Sequence, residues 1–418
     1  MSFEGEYTAY EGDYSSRRTD PEWGVLMGIK PLKLYSAVIR ELGSPDSADS
    51  VMSSKYRLSE DKIALLHETW DTQREEMASP GLHAIGLYIG IPFCPSRCAY
   101  CSFTMEEAAA PSAETLKDYM DALFREMKFV AENMEASGMR AESIYIGGGT
   151  PTALDGDGLA RLLGYLRERM PGGDGAELSL EAGRPDTVNA ENSAIMASFK
   201  TDRVCVNPQS MNPETLDRIG RRHGPEAVLS AYEAVREAGI PVVNMDVIAG
   251  LPGESADDFA RTMNKVWEMS PENVSVHILS LKRGSRLWED RESGNERIEN
   301  GLYADGRARA MIGGMRGMMK GHGYRPYYLY RQKYILDNLE NVAYAKPGTA
   351  CLYNMRIMEE RQTIIAMGAG GGSKVWYPRE EKLRRVYNVS NHEVYIERID
   401  DMIERKRKGI FSDRRLVC

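Results

Sequence analysis

The chain has 418 residues, of which 42% are apolar and 28% are charged, and its net charge is −9. These proportions are typical of a globular protein with one large domain and a smaller part beside it. The negative charge argues against a general nucleic-acid-binding protein, which needs an excess of Lys and Arg. No apolar run approaches the length of a membrane span, and the acidic N-terminus is not a signal peptide, so we expect a cytoplasmic protein.

Short apolar runs at regular intervals from residue 84 onward predict a sheet. They follow an N-terminal extension, residues 1–83, which has a helical pattern over 61–76. Each run is rich in Val, Ile, Leu or Tyr and has the length of a buried strand. The predicted strands are 84–91, 142–146, 177–181, 203–206, 241–248 and 273–279.

Stretches with helical periodicity separate these strands, and the stop signals Gly138 and Gly239 lie where two of them end. Six strands alternating with helices predict βαβ units and a parallel sheet. Periodicity alone leaves open whether this sheet is doubly wound, a barrel or a partial barrel. The predicted helices are 113–136, 158–169, 189–198, 226–238 and 256–269.

The alternation ends after Leu281, which predicts a domain boundary near residues 281–300. We therefore predict one α/β domain over 84–290 and a smaller C-terminal α+β domain over 291–418. Within the C-terminal part, residues 324–334 alternate aromatic and basic side chains, and 392–408 has the pattern of an amphipathic helix.

Three of the six cysteines, Cys94, Cys98 and Cys101, follow the first strand at CxxxCxxC spacing. In a parallel α/β fold, the loops at the carboxyl ends of the strands build the functional site. Three thiolates at this spacing can bind three irons of a 4Fe–4S cluster and leave the fourth iron open. Buried cysteines without a ligand are one alternative. A zinc site is another, but it needs a fourth ligand, and the next cysteine is Cys205.

The motif IPFCPSRCAYC at 91–101 resembles the signature of the radical S-adenosylmethionine (radical SAM) superfamily, in particular that of oxygen-independent coproporphyrinogen III oxidases. Further segments match that family in the same order. They are GGGTPT at 147–152, Glu181, Asn207-Pro-Gln209 with Arg221 behind it, and NMDVIAGLPG at 244–253. The resemblance covers about residues 21–375. It implies a partial (β/α)6 barrel of the TIM type, with the C-terminal domain covering the barrel mouth.

The resemblance also implies a 4Fe–4S cluster on the three cysteines and S-adenosylmethionine on the open iron. Glycines let backbone approach a ligand closely, ionised carboxylates accept hydrogen bonds from hydroxyls, and Arg pairs with a carboxylate. The residues implied to contact S-adenosylmethionine are Tyr88, Tyr100, Gly148, Gly149, Thr150, Glu181, Gln209, Arg221 and Asp246.

Differences within the family point to one branch. The coproporphyrinogen oxidases carry Gly-Cys after the third cluster cysteine, where this chain has Ser102-Phe103. The haem-chaperone branch has an H-N-x-x-Y-W segment, where this chain reads LYNMRI at 352–357 without a histidine. Segments 23–33 and 327–333 resemble coproporphyrinogen dehydrogenases of the Firmicute type.

The predicted reaction is therefore the oxidative decarboxylation of coproporphyrinogen III propionates to vinyl groups, which gives protoporphyrinogen IX in haem biosynthesis. Two alternatives stay open: a haem-binding chaperone, and a radical SAM enzyme that acts on another substrate by methyl transfer or ring formation. The expected partners are a small-molecule substrate and an electron donor such as flavodoxin or ferredoxin, with no nucleic acid and no membrane span.

The aromatic and basic stretch at 324–334 has the chemistry that a porphyrinogen needs. Propionates pair with Arg or Lys, and pyrrole faces pack on aromatic rings. Arg325, Arg331 and Lys333 are the candidate substrate contacts. A strand with one solvated face is the alternative, and a stacking platform for RNA is disfavoured by the acidic net charge.

Overall fold

A computed structural model describes residues 22–26, 30–81, 83–102, 111–292 and 306–412 of the chain. The first 21 residues of the predicted N-terminal extension, as well as Phe103 and Cys418, lie outside these residues. The helices are α1 (Pro31–Leu42), α2 (Pro45–Ser54), α3 (Glu60–Glu76), α4 (Ala113–Ala136), α5 (Gly156–Arg169), α6 (Ala190–Ser198), α7 (Pro213–Arg218), α8 (Pro225–Glu237), α9 (Ala256–Met269), α10 (Arg286–Glu292), α11 (Arg307–Ile312), α12 (Met315–Gly321), α13 (Leu352–Glu359), α14 (His392–Glu397) and α15 (Ile399–Lys406).

The described strands form one sheet with the order β11-β10-β9-β1-β2-β3-β4-β5-β6-β8-β7. Strands β1 to β6 are parallel and follow one another in chain order. A doubly wound sheet reverses its strand order at a switch point, whereas this order is that of a barrel wall. The strands are β1 (Ala84–Ile91), β2 (Arg140–Gly148), β3 (Glu177–Glu181), β4 (Arg203–Cys205), β5 (Val242–Ala249), β6 (Asn273–Ile278), β7 (Arg325–Tyr330), β8 (Asn341–Ala345), β9 (Ile364–Met367), β10 (Gly372–Tyr377) and β11 (Lys382–Tyr387).

The sheet is not closed, because β7 and β11 are its two edges. The prediction of a partial barrel is thus confirmed, and the six predicted strands and five predicted helices between 84 and 279 are all present within two residues of their predicted ends. Nearly all side chains of β1 to β6 are buried or half-buried, as expected for strands that helices cover on one face and barrel contents fill on the other.

The C-terminal strands extend both edges of this wall. Strand β8 pairs antiparallel with β6 and carries β7, while β9 pairs parallel with β1 and carries β10 and β11. The boundary near residue 290 therefore separates segments of chain that share one sheet, and the division into domains stays a prediction. The amphipathic helix predicted over 392–408 is two helices, α14 and α15, which meet at Arg398.

The N-terminal segment is tied to the C-terminal strands by buried polar contacts. Trp23 is almost fully buried, and its Nε1 donates to Glu340 Oε2 at 2.8 Å. Lys62 Nζ lies 2.6 Å from Glu340 Oε1, and the guanidinium of Arg331 stacks over the Trp23 ring at 5.2 Å. Residues from opposite ends of the chain are thus held together beside β7.

Among the described residues, no helix is both long and apolar enough to cross a membrane.

Glu126 on α4 accepts four hydrogen bonds inside the core. Its donors are Lys406 Nζ at 2.5 Å, Tyr395 Oη at 2.6 Å, the Gly368 amide at 2.8 Å and Asn388 Nδ2 at 2.9 Å. Both side chains of the Glu126–Lys406 pair are fully inaccessible to solvent. This pair fixes the C-terminal helices onto α4, one of the helices that cover the barrel wall.

Lys406→Met should lower the free energy of unfolding by about 3–5 kcal/mol, because Glu126 then remains buried without its counter-ion. Urea denaturation followed by circular dichroism would measure this change. The matched control is Lys128→Met, which breaks the solvent-exposed Lys128–Glu132 pair on α4, the helix that carries Glu126. This substitution should leave the denaturation midpoint nearly unchanged. Equal effects of the two substitutions would contradict the prediction.

Candidate functional site

The loop that carries the three cysteines begins directly after β1 and is held by the neighbouring glycine loop. The Gly149 amide donates to the Ile91 carbonyl at 2.7 Å, and the Thr150 amide donates to the Phe93 carbonyl at 2.7 Å. A Cβ on Gly149 would lie 2.8 Å from the Ile91 carbonyl oxygen and even closer to that of Phe93. Only glycine permits this approach of the two backbones. Cys94 Sγ then lies 3.1 Å from Thr150 Oγ1.

The surroundings of Cys94 and Cys98 differ electrostatically. Burial raises the pKa of the Cys94 thiol to about 12, which favours its protonated form in the absence of a ligand. Burial acts in the same direction at Cys98, but the guanidinium groups of Arg221 and Arg184 outweigh it and lower the pKa of that thiol. The two arginines thus favour the thiolate form of Cys98 over that of Cys94.

Cys94, Cys98 and Cys101 share one short loop, in which the Cys101 amide donates to the Cys98 carbonyl at 3.1 Å. Nowhere in the described ranges do three histidine, cysteine or acidic side chains converge as a single metal ion requires. The cysteines of a cubane each bind a different iron, so they need not converge on one point. The donor set of the loop therefore fits a 4Fe–4S cluster with one iron left for another ligand. Cys205 is buried in β4, and Cys351 is buried immediately before α13.

Glu181 ends β3 beside the glycine loop. Its Oε1 accepts a hydrogen bond from Tyr145 Oη at 2.6 Å, and a Cβ on Gly147 would lie 2.7 Å from its Oε2. Burial raises the pKa of Glu181 to about 7, and the Asp246 charge acts in the same direction, while the bonds from Tyr145 and the Gly148 amide oppose the shift. The carboxyl group is therefore poised between its two protonation states near neutral pH.

Asp246 lies on β5, within electrostatic reach of Glu181. Burial alone would raise its pKa, but hydrogen bonds and charge from His277 and the Asn244 amide lower it. Asn244 Nδ2 donates to its Oδ1 at 2.8 Å, and His277 Nε2 lies 3.8 Å from the same oxygen. The two carboxyl groups thus have pKa values that are shifted in opposite directions, as is common at functional sites.

Gln209 and Arg221 have buried polar atoms without a partner among the described residues. Gln209 has a positive φ of 64°, and its backbone bonds to the Asp246 carbonyl and the Ile248 amide, both at 2.9 Å. Its side-chain Oε1 is buried and accepts no hydrogen bond, and Arg221 Nε likewise lacks a partner in this part of the chain. Buried polar groups are normally hydrogen-bonded, so these atoms fit a site for a polar ligand.

The rest of the Arg221 guanidinium is bound by protein. It donates to the carbonyls of Asn207 at 2.5 Å and of Gly183 at 3.0 Å, which links the ends of β3 and β4. Tyr100 lies against both Arg221 and Cys98, and burial raises the pKa of its phenol. Most residues implied to contact S-adenosylmethionine therefore lie near the carboxyl ends of the parallel strands or in the cysteine loop, whereas Tyr88 lies within β1 and Arg221 follows α7. Their roles in binding stay predictions.

A stack of three tyrosines lies inside the barrel below the glycine loop. The rings of Tyr145 and Tyr353 are 4.7 Å apart, and Tyr88 lies 6.4 and 6.5 Å from them. Tyr88 Oη comes within 3.2 Å of the place where a Gly148 Cβ would be. Sequence reasoning missed Tyr145 and Tyr353, because Tyr145 is one of many apolar residues in its strand and Tyr353 belongs to a distant helix.

The three candidate substrate residues are not brought together. Arg325 is level with the first residue of β6, at the end of the sheet away from the cysteines, and its guanidinium bonds to Glu75 at 2.5 Å. Arg331 is buried and donates to the Leu26 carbonyl at 2.7 Å and Asn338 Oδ1 at 2.6 Å. Lys333 is exposed beyond the carboxyl end of β7.

Another group of cations lies opposite Lys333. The antiparallel bridge Ser280↔Ile335 and the bond from the Leu281 amide to the Tyr334 carbonyl place Lys282 across from Lys333. Arg283 packs over Trp288 at 5.8 Å, and Trp288 contacts Tyr334 edge to face at 5.3 Å. This mouth cluster, comprising Lys282, Arg283, Trp288, Lys333 and Tyr334, borders the cysteine loop, because the Leu287 amide donates to the Ala99 carbonyl at 3.0 Å.

Comparison with known proteins agrees with this geometry. The family model of the radical SAM superfamily matches residues 88–266. The oxygen-independent coproporphyrinogen-III oxidase-like protein HemZ of Bacillus subtilis is 36% identical over 396 residues, which is 93% of this chain and 76% of HemZ. The haem chaperone HemW of Escherichia coli is 27% identical over 318 residues, which is 72% of this chain and 73% of HemW.

The solved structure of coproporphyrinogen III oxidase (HemN) from Escherichia coli, a radical SAM enzyme, has the same fold. It superimposes with a TM-score of 0.59 over 77% of this chain and 70% of its own, at 20% sequence identity. Proteins of this superfamily use a 4Fe–4S cluster and S-adenosylmethionine. The chain thus belongs to the radical SAM superfamily, among the oxygen-independent coproporphyrinogen-III oxidase-like proteins.

Proposed function

We propose that this protein is a radical SAM enzyme that oxidatively decarboxylates propionate side chains of coproporphyrinogen III to vinyl groups. One observation carries the proposal. The cysteine loop, the glycine loop and two strand-end carboxylates, Glu181 and Asp246, occupy the same end of one barrel wall. The similarity to HemZ over nearly the whole chain supports the choice of substrate.

The loop cysteines would hold the cluster, and the strand ends would hold S-adenosylmethionine. When bound, the two together would supply the radical chemistry that hydrogen-atom abstraction at the propionate β-carbon needs. The vinyl group would then form as the substrate releases carbon dioxide and passes one electron to an acceptor. The barrel keeps water and stray hydrogen donors away from this chemistry.

The residues of the chain position the ligand and set its charge environment. The unpartnered Gln209 Oε1 is suited to accept from an ammonium group, and Arg221 Nε is suited to donate to a carboxylate. Glu181 and Asp246 would accept from ribose hydroxyls. Tyr145 holds Glu181 in place through its 2.6 Å hydrogen bond and is a positioning residue in this scheme.

The mouth cluster would bind the propionates of the substrate. The guanidinium of Arg325 bonds to Glu75, and that of Arg331 donates to Leu26 and Asn338. Lys333 is therefore the candidate among the three whose charged group makes neither a hydrogen bond nor an ion pair within the described ranges. Lys282 lies across from it, and Trp288 and Tyr334 offer aromatic surface for a pyrrole ring. Carboxylates bound there would lie beside the cysteine loop.

A haem chaperone is the second candidate, and the similarity to HemW favours it. The segment at 352–357, which lacks a histidine, forms most of α13 and packs inward. Its Arg356 is almost fully buried and bonds to Glu142 at 3.0 and 3.1 Å. A buried helix without a histidine offers no axial haem ligand of that kind.

Anaerobic turnover tests the proposed function. The reconstituted and reduced protein, incubated with S-adenosylmethionine and coproporphyrinogen III, should release 5′-deoxyadenosine and a porphyrinogen that has lost carbon dioxide. Cys94→Ala should abolish both products, because the cluster then lacks one of its three ligands. Cys351→Ala removes a buried cysteine outside the loop and should retain both.

The outcomes of this experiment separate the candidates. Deoxyadenosine without porphyrinogen conversion would point to another substrate. Neither product, from protein that holds its cluster and binds haem, would overturn the enzyme in favour of the chaperone.

The affinity for S-adenosylmethionine should increase as pH rises through about 7, the raised pKa of Glu181. A protonated carboxyl group loses its negative charge and part of its acceptor capacity, so the low-pH form should bind a cationic ligand more weakly. Equilibrium dialysis with the cluster-loaded protein would measure the dependence. Glu181→Gln should remove the step, and a step of the same size in that variant would exclude Glu181 as its source.

Charge reversal of the mouth cluster should weaken substrate binding. The double variant Lys282→Glu/Lys333→Glu should raise the KM for coproporphyrinogen III at least about tenfold, which corresponds to about 1.4 kcal/mol. Arg325→Glu is the matched control, because it reverses a charge at the opposite end of the sheet and should leave KM unchanged. A rise in KM with Arg325→Glu alone would place the propionates at β7 instead.

A further inference from the structure

Arg184 is a buried cation beside the cysteine loop that sequence patterns did not single out. It follows β3 in the chain and is only 3% exposed. Its Nη1 donates to Ser96 Oγ at 2.7 Å and to the Ser96 carbonyl at 3.3 Å, and it lies 4.0 Å from Cys98 Sγ. One nitrogen of this guanidinium thus contacts two residues of the cysteine loop.

The other side of the guanidinium is held by a carboxylate. Arg184 Nε lies 3.1 Å from Asp186 Oδ1, and Nη2 lies 3.3 Å from Oδ2. Two parallel bonds of this kind fix the plane of an Arg side chain. Asp186 is partly exposed to solvent, with 32% of its side chain accessible, whereas Arg184 and Cys98 are buried. Water therefore screens the carboxylate more than it screens the interaction between Nη1 and the sulfur.

Ser96 extends the contact to a third part of the site. Its hydroxyl donates to the Gly220 carbonyl at 3.2 Å, next to Arg221. The series of contacts from Asp186 through Arg184 and Ser96 to Gly220 joins the segment after β3 to the segment after α7 across the cysteine loop. A purely structural brace would need these hydrogen bonds but no charge near Cys98.

We propose that Arg184 raises the reduction potential of the cluster by placing a positive charge beside the Cys98 sulfur, in addition to bracing the loop. Net charge and hydrogen bonds at the sulfur ligands are among the factors that set the potential of an iron–sulfur cluster. A nearby cation stabilises the state that carries one more electron. The inference rests on the proposed cluster site and is independent of the identity of the substrate.

A redox titration of the cluster-loaded full-length protein, followed by EPR without S-adenosylmethionine or substrate, tests this proposal. Arg184→Gln should lower the equilibrium constant for one-electron reduction about tenfold, which is about 59 mV in midpoint potential. Arg184→Lys keeps the charge and should stay close to the wild-type potential. Ser96→Ala removes a hydrogen bond of the brace but not the cation, so it should also keep the potential.

Arg167→Gln is the matched control. Arg167 is a largely buried arginine on α5 that donates to the carbonyls of Phe199, Gly173 and Ala176, in an element that does not carry the cysteine loop. This control should leave the midpoint unchanged. Iron and sulfide content, measured in every variant, shows whether a full cluster is present.

Asp186→Asn keeps the test decisive if Arg184→Gln cannot hold a cluster. Removal of the carboxylate leaves the Arg184 charge less compensated, so the midpoint should rise. The proposal is overturned by a fully loaded Arg184→Gln variant with an unchanged midpoint, by an equal shift in Arg167→Gln, or by an unchanged or lower midpoint in Asp186→Asn. Absence of porphyrinogen turnover in the wild-type protein, together with the expected redox shifts, would count against the proposed function alone.

Discussion

The site depends on two backbone hydrogen bonds between the cysteine loop and the glycine loop. The amides of Gly149 and Thr150 donate to the carbonyls of Ile91 and Phe93, each at 2.7 Å. These bonds continue the parallel pairing of β1 and β2 past the end of the regular strands. They place Cys94 beside Thr150, and they are possible only because Gly149 has no Cβ. The register of β1 and β2 therefore determines the position of the cysteine loop.

Buried polar groups are fully hydrogen-bonded around Glu126 but not at the carboxyl ends of the strands. The Glu126–Lys406 pair is fully compensated, since the carboxylate accepts four bonds and Lys406 also donates to Asn388 at 2.8 Å. At the strand ends the compensation is incomplete, because Gln209 Oε1 and Arg221 Nε have no partner in the described part of the chain. Complete networks stabilise the fold, whereas open donors and acceptors in a buried position are available to a ligand.

The sequence predicts the barrel wall and the cysteine loop well, because both follow from local patterns. Apolar runs of strand length locate β1 to β6, and the spacing of the cysteines is read directly from the chain. Long-range pairing is not local, so it was not predictable that β8 and β9 would extend opposite edges of the same sheet. The aromatic and basic pattern of β7 likewise does not reveal the long-range partners of its side chains. The guanidinium of Arg331 is occupied by hydrogen bonds to Leu26 and Asn338 and by stacking on Trp23, and none of these partners can be identified from spacing.

The engagement of Arg325 and Arg331 changes where a substrate with several carboxylates would sit. Moving a buried guanidinium away from the Leu26 carbonyl and the Trp23 ring would cost the free energy of hydrogen bonds and packing that a propionate would have to replace. Lys282 and Lys333 are already exposed at the carboxyl end of the strands and need no such rearrangement. That position lies on the same side of the sheet as the cysteines, where the reacting carbon has to be. Proximity to the reactive centre and the absence of competing contacts thus favour the mouth cluster over the outer end of β7.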